Sequence, residues 1–497
     1  MKKLVLAIIF LITANGLFNS CTSLLDEEPV DRYVVGNFYS NSSDAEAAIA
    51  AVYQTLYSIY NRDIFMLTET SVDIIKNGIG MSNPDMQNIE YLRLTSENQF
   101  IINNWSTNYT GIARANTAIA NIPNITMDVT LKNRLIAEAT FMRALFYFNL
   151  VRLFGDVPLV LKLESLDDAF GEKTPKDQVY QQIIEDLKFV ENSLPISYPS
   201  SETGRATQGA AKILLGKVYL TIHEYQNCVS KLAEVVEHED IYEYGLHDNY
   251  GDNWKVDTEN GKEMVFSIEH MAPPGTNNPL MNIMGPKYSL PGGFAAIGLN
   301  NSNESFIPTM DLYTSFLDED ERKDVTMRTD FISLIDGSLH ICSIPIFVKY
   351  FEENQRITSH CGVNKHILRY ADALLMYAEA LNEVSQTTKA LDYLNRVRER
   401  AFHSTDFNYA GLSEEEFRTA VGEERKLELA IEGHRWFDLV RTGKLVETMK
   451  AHSAREALLA ESNKVEIAQN IKDYMVLYPI PQHELDLNDK LIQNTGY

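Results

Sequence analysis

The feature that most constrains this chain is a helical period that recurs in pairs, with small residues where two helices must touch. In residues 206–237, Leu215-Gly216-x-x-Tyr219 is followed by Tyr225, Cys228 and Leu232. Gly216 and Cys228 stand twelve positions apart, one in each helix, and a bulky side chain at either would push the pair apart. Residues 366–402 repeat the arrangement with Ala378, Leu381, Ala390, Leu394 and Val397. Ala144 and Tyr147 start a third pair, whose second helix is delayed until Pro175 by an insertion, and residues 413–443 provide a fourth. Ala45 to Tyr60 places Ala45, Ile49, Val52, Leu56 and Ile59 on one face, behind an N-capping Ser42-Ser43-Asp44 cluster. Trp105 to Ile122 and Leu131 to Phe154 are amphipathic too, and the second stops at Gly155-Asp156-Val157-Pro158. Pro175 to Leu194 opens with Thr174-Pro175 in the cap and N1 positions.

The spacing of these pairs resembles the tetratricopeptide pattern. The expected fold class is mainly α, a helical repeat scaffold of about four helix pairs with a large irregular, loop-rich insertion. Between Met271 and Asn303 lie five prolines and five glycines, with no sustained period. The expected division is an N-terminal part over 41–240, an insertion over 241–365, and C-terminal repeats and tail over 366–497, all one domain. Long ordered loops on a rigid scaffold are where binding usually happens, which points to the insertion.

Lys2-Lys3 followed by nine apolar residues, Leu4 to Ile12, reads as a secretory signal over 1–20. At about 1.5 Å per residue this run is far too short to span a bilayer. Phe18-Asn19-Ser20-Cys21 resembles a bacterial lipobox, although Phe18 replaces the usual Leu. Lipidation is therefore expected at Cys21, with residues 21–40 as a tether carrying Asp26-Glu27-Glu28. Acids just after the lipid cysteine resemble the surface-export signal of Bacteroidetes lipoproteins. The formal charge of the chain is −25. Such a surface repels phosphate backbones and anionic headgroups, which argues against nucleic-acid binding and against membrane adsorption through a basic patch. Of the other cysteines, Cys342 and Cys361 are candidates to pair across a loop, whereas Cys228 belongs to a helix face.

Catalytic chemistry leaves no signature. There is no HExxH, no close histidine pair, no Walker A loop, no dinucleotide fingerprint and no G-x-S-x-G elbow. No metal, cofactor or catalytic residue is expected. The densest charge constellation is Arg425, Glu428, Glu432, Arg435, Asp438 and Arg441, whose separations of three or four read as an ion-pair ladder along one helix. Trp436, Phe437 and Leu439 beside it read as core.

Together these residues carry a family resemblance. Ala137-Glu138-Ala139 through Arg143-Ala144, Tyr147-Phe148 and Phe154-Gly155-Asp156-Val157-Pro158 resemble the first signature of the SusD/RagB outer-membrane lipoproteins. Gly204-Arg205-Ala206-Thr207 with Ala210-Ala211-Lys212 resembles the second. Arg369-Tyr370-Ala371-Asp372 with Ala378-Glu379-Ala380 and Asn382-Glu383 is similar to the third. Glu424-Arg425, Glu432-Gly433-x-Arg435, Asp438-Leu439 and Arg441-x-Gly443 are similar to the fourth, and Pro479-Ile480-Pro481 through Gln493-Asn494-Thr495-Gly496-Tyr497 to the family's C-terminus. Asp489 stands where a proline is common. The resemblance implies a non-enzymatic lipoprotein, lipid-anchored at the outer membrane and exposed at the cell surface. Such a protein binds an oligosaccharide, or in some members a peptide, and delivers it to a SusC-like, TonB-dependent transporter.

Sugars offer apolar CH faces and many hydroxyls, so their sites combine an exposed aromatic ring with polar edges. Trp254, beside Tyr250 and Asp252, is the tryptophan free of any repeat or signature. Tyr288 and Phe294, flanked by Pro286-Lys287 and Gly292-Gly293, form a second candidate platform. Trp105 is a packing residue that can lie at a pocket edge. The resemblance adds Asp73, Asn77 and Tyr91, in the non-repeat stretch where relatives often place ligand contacts. A surface polysaccharide hydrolase and a peptide-recruiting repeat scaffold stay open beside glycan capture.

Overall fold

A computed structural model describes residues 38–162, 168, 170–272, 275–299, 301–352, 361–458 and 465–497. The expected signal, Cys21 and most of its tether lie outside the described residues. Helix α1 (Ser42–Ser58) starts behind Asn41, whose Oδ1 accepts from the Asp44 N–H at 3.2 Å. The cap is thus Asn41, and the expected Ser-Ser-Asp cluster forms the first turn. The face drawn from the sequence is buried, with Ala45, Ile49 and Val52 wholly so. A π turn over Ile59–Asp63 leads into α2 (Ile64–Glu69) and β1 (Ile75–Asn77).

Helices α3 (Pro84–Glu90), α4 (Gln99–Asn121), α5 (Val129–Phe154) and α6 (Lys176–Val190) follow. Gly111 on α4 lies under the Phe146 ring of α5, where an added Cβ would overlap it. Helix α5 ends at Gly155, in the left-handed region at φ 74°. The cap of α6 is Pro175, one residue later than the Thr174 expected. Next come α7 (Gln208–Thr221) and α8 (Tyr225–Val236). Here the small-residue argument holds: Leu232 of α8 occupies the space a Cβ on Gly216 of α7 would need. Helix α8 also packs on the helix over Tyr370–Glu383, beyond the insertion, so the helix pairs on its two sides stack.

The insertion is less irregular than its composition suggests. It holds α9 (Glu239–Tyr242), β2 (Met264–Ile268), α10 (Leu280–Met284), β3 (Phe306–Pro308), α11 (Met310–Ser315), α12 (Arg322–Thr326), β4 (Met327–Ile332), β5 (Leu339–Phe347) and β6 (Lys365–Arg369). Three antiparallel two-stranded ribbons result: β1 with β3, β2 with β6, and β4 with β5. Strand β6 is buried throughout yet reads Lys-His-Ile-Leu-Arg, so neither alternation nor an apolar run announces it.

Strand β6 runs directly into α13 (Tyr370–Glu383), which pairs with α14 (Thr387–Phe402). Then come α15 (Glu414–Glu428), α16 (Arg435–Arg441), α17 (Leu445–Leu458), α18 (Val465–Asn470) and α19 (Gln482–Leu487). The mainly α class therefore holds. One apolar cluster extends from Val52 to Leu491 and includes Trp254, Phe294 and Cys361 of the insertion.

The charge ladder needs correction. Its residues do not share one helix, because Ile431 and Gly433 take positive φ (58° and 91°) and break the chain between α15 and α16. The charges turn inward instead. Arg322, Lys349, Arg369, Arg398 and Arg400 meet Glu263, Asp320, Glu424, Glu428 and Glu432 in one connected network, five cations against five carboxylates. Arg369, Lys349, Glu263, Glu428 and Glu432 have side chains with no solvent exposure. Glu263, Asp320, Arg322 and Lys349 come from the insertion, Arg369 from the far end of β6 just past it, and the others from the helices that follow, so the network is the joint between the two. A second set, Lys217–Asp372–Arg425–Asp438–Arg441–Glu379, is balanced as well. Burial of such charges is tolerated only when every one finds its counterpart.

Cys228, Cys342 and Cys361 are all free and buried, so the candidate Cys342–Cys361 bridge does not form. The Cys361 Sγ faces the Tyr350 carbonyl oxygen at 3.1 Å, whereas Cys342 lies beside Ser289.

Candidate functional site

Strand β1 pairs with β3 so that Ile75 faces Pro308 and Asn77 faces Phe306. Beyond Asn77 the chain runs flat against residues 303–305: the Gly78 N–H donates to the Ser305 carbonyl at 2.8 Å and the Gly80 N–H to that of Glu304 at 3.3 Å. A Cβ on Gly78 or Gly80 would collide with the carbonyls of Glu304 or Asn303. Only glycine permits this approach, and Ile79 between the two is left 76% exposed.

Glu304 organises the opposite side. Its backbone has φ 50° and its side chain is buried. One carboxylate oxygen accepts from the N–H groups of Lys287 (2.7 Å), Tyr288 (2.8 Å) and Ser289 (3.1 Å) and from the Ser289 hydroxyl (2.9 Å). Four donors on a single oxygen fix three successive residues. Ser302 Oγ donates to the Gly285 and Asn282 carbonyls, and the Ser343 N–H to that of Ser289 at 3.0 Å. On this pinned loop the Tyr288 ring stands 55% exposed, with the Lys287 ammonium 5.0 Å from its centroid. Tyr288 is thus tied through Glu304 to the Gly78–Gly80 segment, which Asn77 precedes. Both amide atoms of Asn77 are buried without a hydrogen-bond partner among the described residues.

The other candidates lie elsewhere. Phe294 follows Gly292 and Gly293, both at positive φ, but is buried and packs edge-on to Phe351 at 6.4 Å. Trp254 is 4% exposed, covered by Tyr350 (5.4 Å), His366 (5.0 Å) and the Lys349 ammonium (4.3 Å). It forms one wall of a cleft of about 600 Å³ with Val325, Phe331 and Phe351, rimmed by Lys255, Asp257 and Arg328. Trp105 is buried between Tyr109 and Phe154, 5.1 Å from each, and lines a cleft of about 350 Å³ with Phe170, Leu487 and Leu491. It sits at a pocket wall, as its position allowed. Tyr91 is half-buried under the Arg93 guanidinium at 5.1 Å.

Asp73 does structural service, accepting two 2.8 Å bonds from Arg435. Burial pushes its carboxyl up, but the guanidinium outweighs this and holds it at about 2. Among the described residues no group of three or more His, Cys, Asp or Glu is arranged to hold a metal ion. Sequence reasoning missed Glu304, whose hold on residues 287–289 runs through backbone donors and leaves no motif. It also missed Ile79, for which the Gly-x-Gly spacing was the available signal.

Comparison with known proteins gives two family matches, one at each end of the chain. Residues 344–497 match the model of the SusD family, and residues 25–220 match a model described as starch-binding associating with outer membrane. Among curated relatives, SusD-like protein P25 of Formosa agariphila is 27% identical, covering 96% of this chain and 97% of that one. A SusD-like protein of Bacteroides ovatus is 26% identical over 87% of this chain and 82% of its own length. Among solved structures, a SusD homolog from Bacteroides thetaiotaomicron superposes with a TM-score of 0.80 at 26% identity, over 94% of this chain and 99% of that one. A laminarin-binding SusD-like protein gives 0.75 at 27% identity, over 92% and 100%.

Proposed function

This chain belongs to the SusD/RagB family, and on that premise we propose that it captures oligosaccharides at the cell surface on the shelf that carries Tyr288. The observation that carries the reading is the Tyr288 ring, exposed yet fixed by the four donors gathered on Glu304. A sugar stacked on a ring already held in place loses little further freedom on either side, which is where weak contacts gain affinity. Lys287, its ammonium 5.0 Å from the ring centroid, supplies hydrogen-bond donors beside it. The laminarin-binding relative supports a glycan as the ligand class.

Binding, rather than cleavage, is the proposed act. Glu304 is the carboxylate built into the shelf, and its acceptor oxygen is filled by loop donors, which leaves it unsuited to general acid or base work. Delivery to a SusC-like transporter and attachment through a lipid on Cys21 complete the proposal, in line with a family model described as associating with the outer membrane. No described helix is long and apolar enough to cross a membrane.

A glycan array probed with protein lacking residues 1–21 tests the ligand class, and the Tyr288→Ala variant tests the site. Loss of a stacking contact should weaken the best array hit about 2- to 12-fold. Equal binding by the variant removes Tyr288 from the site, and new reducing ends in the incubated glycan establish a hydrolase. Mass spectrometry of Cys21 and co-purification of a large barrel protein check the anchor and the partner.

A further inference from the structure

Where α2, α5 and β6 meet, two cations differ from every charge in the balanced networks. Lys365, on β6, is 2% exposed, and its ammonium donates 2.7 Å to the Tyr60 carbonyl with the Phe65 ring 5.0 Å away. Arg152, on α5, is clamped between the Phe148 and Phe437 rings, each 3.7 Å from the guanidinium carbon. Its hydrogen bonds go to the Phe148 carbonyl (2.9 Å) and Asn149 Oδ1 (3.0 Å), both neutral. Among the described residues neither cation is bridged to a carboxylate. Both line the same cavity of about 30 Å³, together with Tyr60, Asn149, Lys217 and Glu432.

The acids nearby are already committed. Glu432 is bound by Arg369 and Lys349, and Asp372, the partner of Lys217, also takes Arg425. Glu69 acts on Lys365 from a distance rather than through a bridge, and burial pushes its carboxyl up to about 8. Burial lowers Lys365 to about 7 against the weaker pull of Glu69, and Arg152 to about 10 against the weaker pulls of Tyr60, Tyr180, Asp438 and Asp372, the direction expected of cations taken from water with no carboxylate in contact. A space of this size admits two or so waters or one halide.

We infer that this cavity is a binding site for one small monovalent anion of chloride's size, held between the Lys365 ammonium and the Arg152 guanidinium. The ion supplies the missing negative charge and ties β6 of the insertion to α5 of the N-terminal helices. The site is separate from the glycan shelf and does not depend on the ligand proposed there.

Crystals of the protein soaked in sodium bromide test it directly. An anomalous peak within hydrogen-bond reach of Lys365 Nζ is expected, and density without anomalous signal, meaning water only, overturns the inference. In solution, chloride in excess should raise the melting temperature saturably by about 2 °C over gluconate at equal ionic strength. Lys365→Met should abolish that difference, and a full chloride response in this variant overturns the site. Should Lys365→Met fail to fold, Arg152→Gln carries the same comparison, with the bromide result on the unaltered protein independent of both.

Discussion

Two buried glutamates in this molecule do opposite work. Glu428 lies in the joint between insertion and repeats, where it meets Arg322, Arg369 and Arg400, each of which also serves another acid. Glu304 lies under the Tyr288 shelf and meets only neutral donors, three of them backbone N–H groups in a row. The first spends its charge on joining distant stretches of chain, and the second on shaping a few adjacent residues. Long-range cohesion here demands matched charge, whereas local shape demands only donors.

Acid should break the comparison most severely. Burial raises the carboxyls of Glu428 and Glu432, but their arginine partners outweigh it, holding Glu432 at about 2 and Glu428 well below the usual range. In the unfolded chain these groups titrate near 4.3. Their contribution is therefore complete above that pH and is lost as pH falls through about 2. Circular dichroism across pH 1 to 5 should show cooperative unfolding near the lower end, and unfolding already complete at about pH 4 would mean the network does not hold the fold.

Glu428→Ala comes next. It leaves three buried guanidinium groups one carboxylate short and should cost about 3–5 kcal/mol in denaturant unfolding, or prevent soluble expression. Glu304→Ala should cost less, about 1–3 kcal/mol, and should speed amide exchange at residues 287–289 ahead of the global rate. Equal costs for the two variants would erase the distinction drawn here. The smallest expected change in stability is that of Tyr288→Ala, within about 0.5 kcal/mol, because the ring is largely in water. Its effect should appear in glycan binding alone.

The helix pairs were legible because their information is local. Gly216 and Leu232 sit within one hairpin, so the need for a small residue at Gly216 could be read from spacing, although the residue that fills the space is Leu232 rather than Cys228. The joint was not legible, since Arg322 reaches Glu428 across 106 positions and no periodic pattern records such a meeting. The charge stripe misled for a related reason: its spacing is helical, but Gly433 and the left-handed Ile431 interrupt the helix in the middle. Trp254 seemed free of the scaffold because its cover, Tyr350 and His366, comes about a hundred residues later. Tyr288 was singled out from the composition of its loop and its ring is indeed exposed, while the residue that fixes it was not legible, as backbone donors carry no side-chain signature.

The ten-member joint also sets terms for anyone who would exchange binding loops between homologues. A chimera that imports a foreign insertion without its own Glu263, Asp320, Arg322 and Lys349 counterparts loses two charges of each sign and, with them, the ion pairs that cross the joint to Glu424, Glu428, Glu432, Arg369 and Arg400. Grafts confined to the segment between Gly285 and Glu304 leave that tally untouched. That stretch, rather than the whole insertion, is the natural cassette for rewriting the proposed binding shelf.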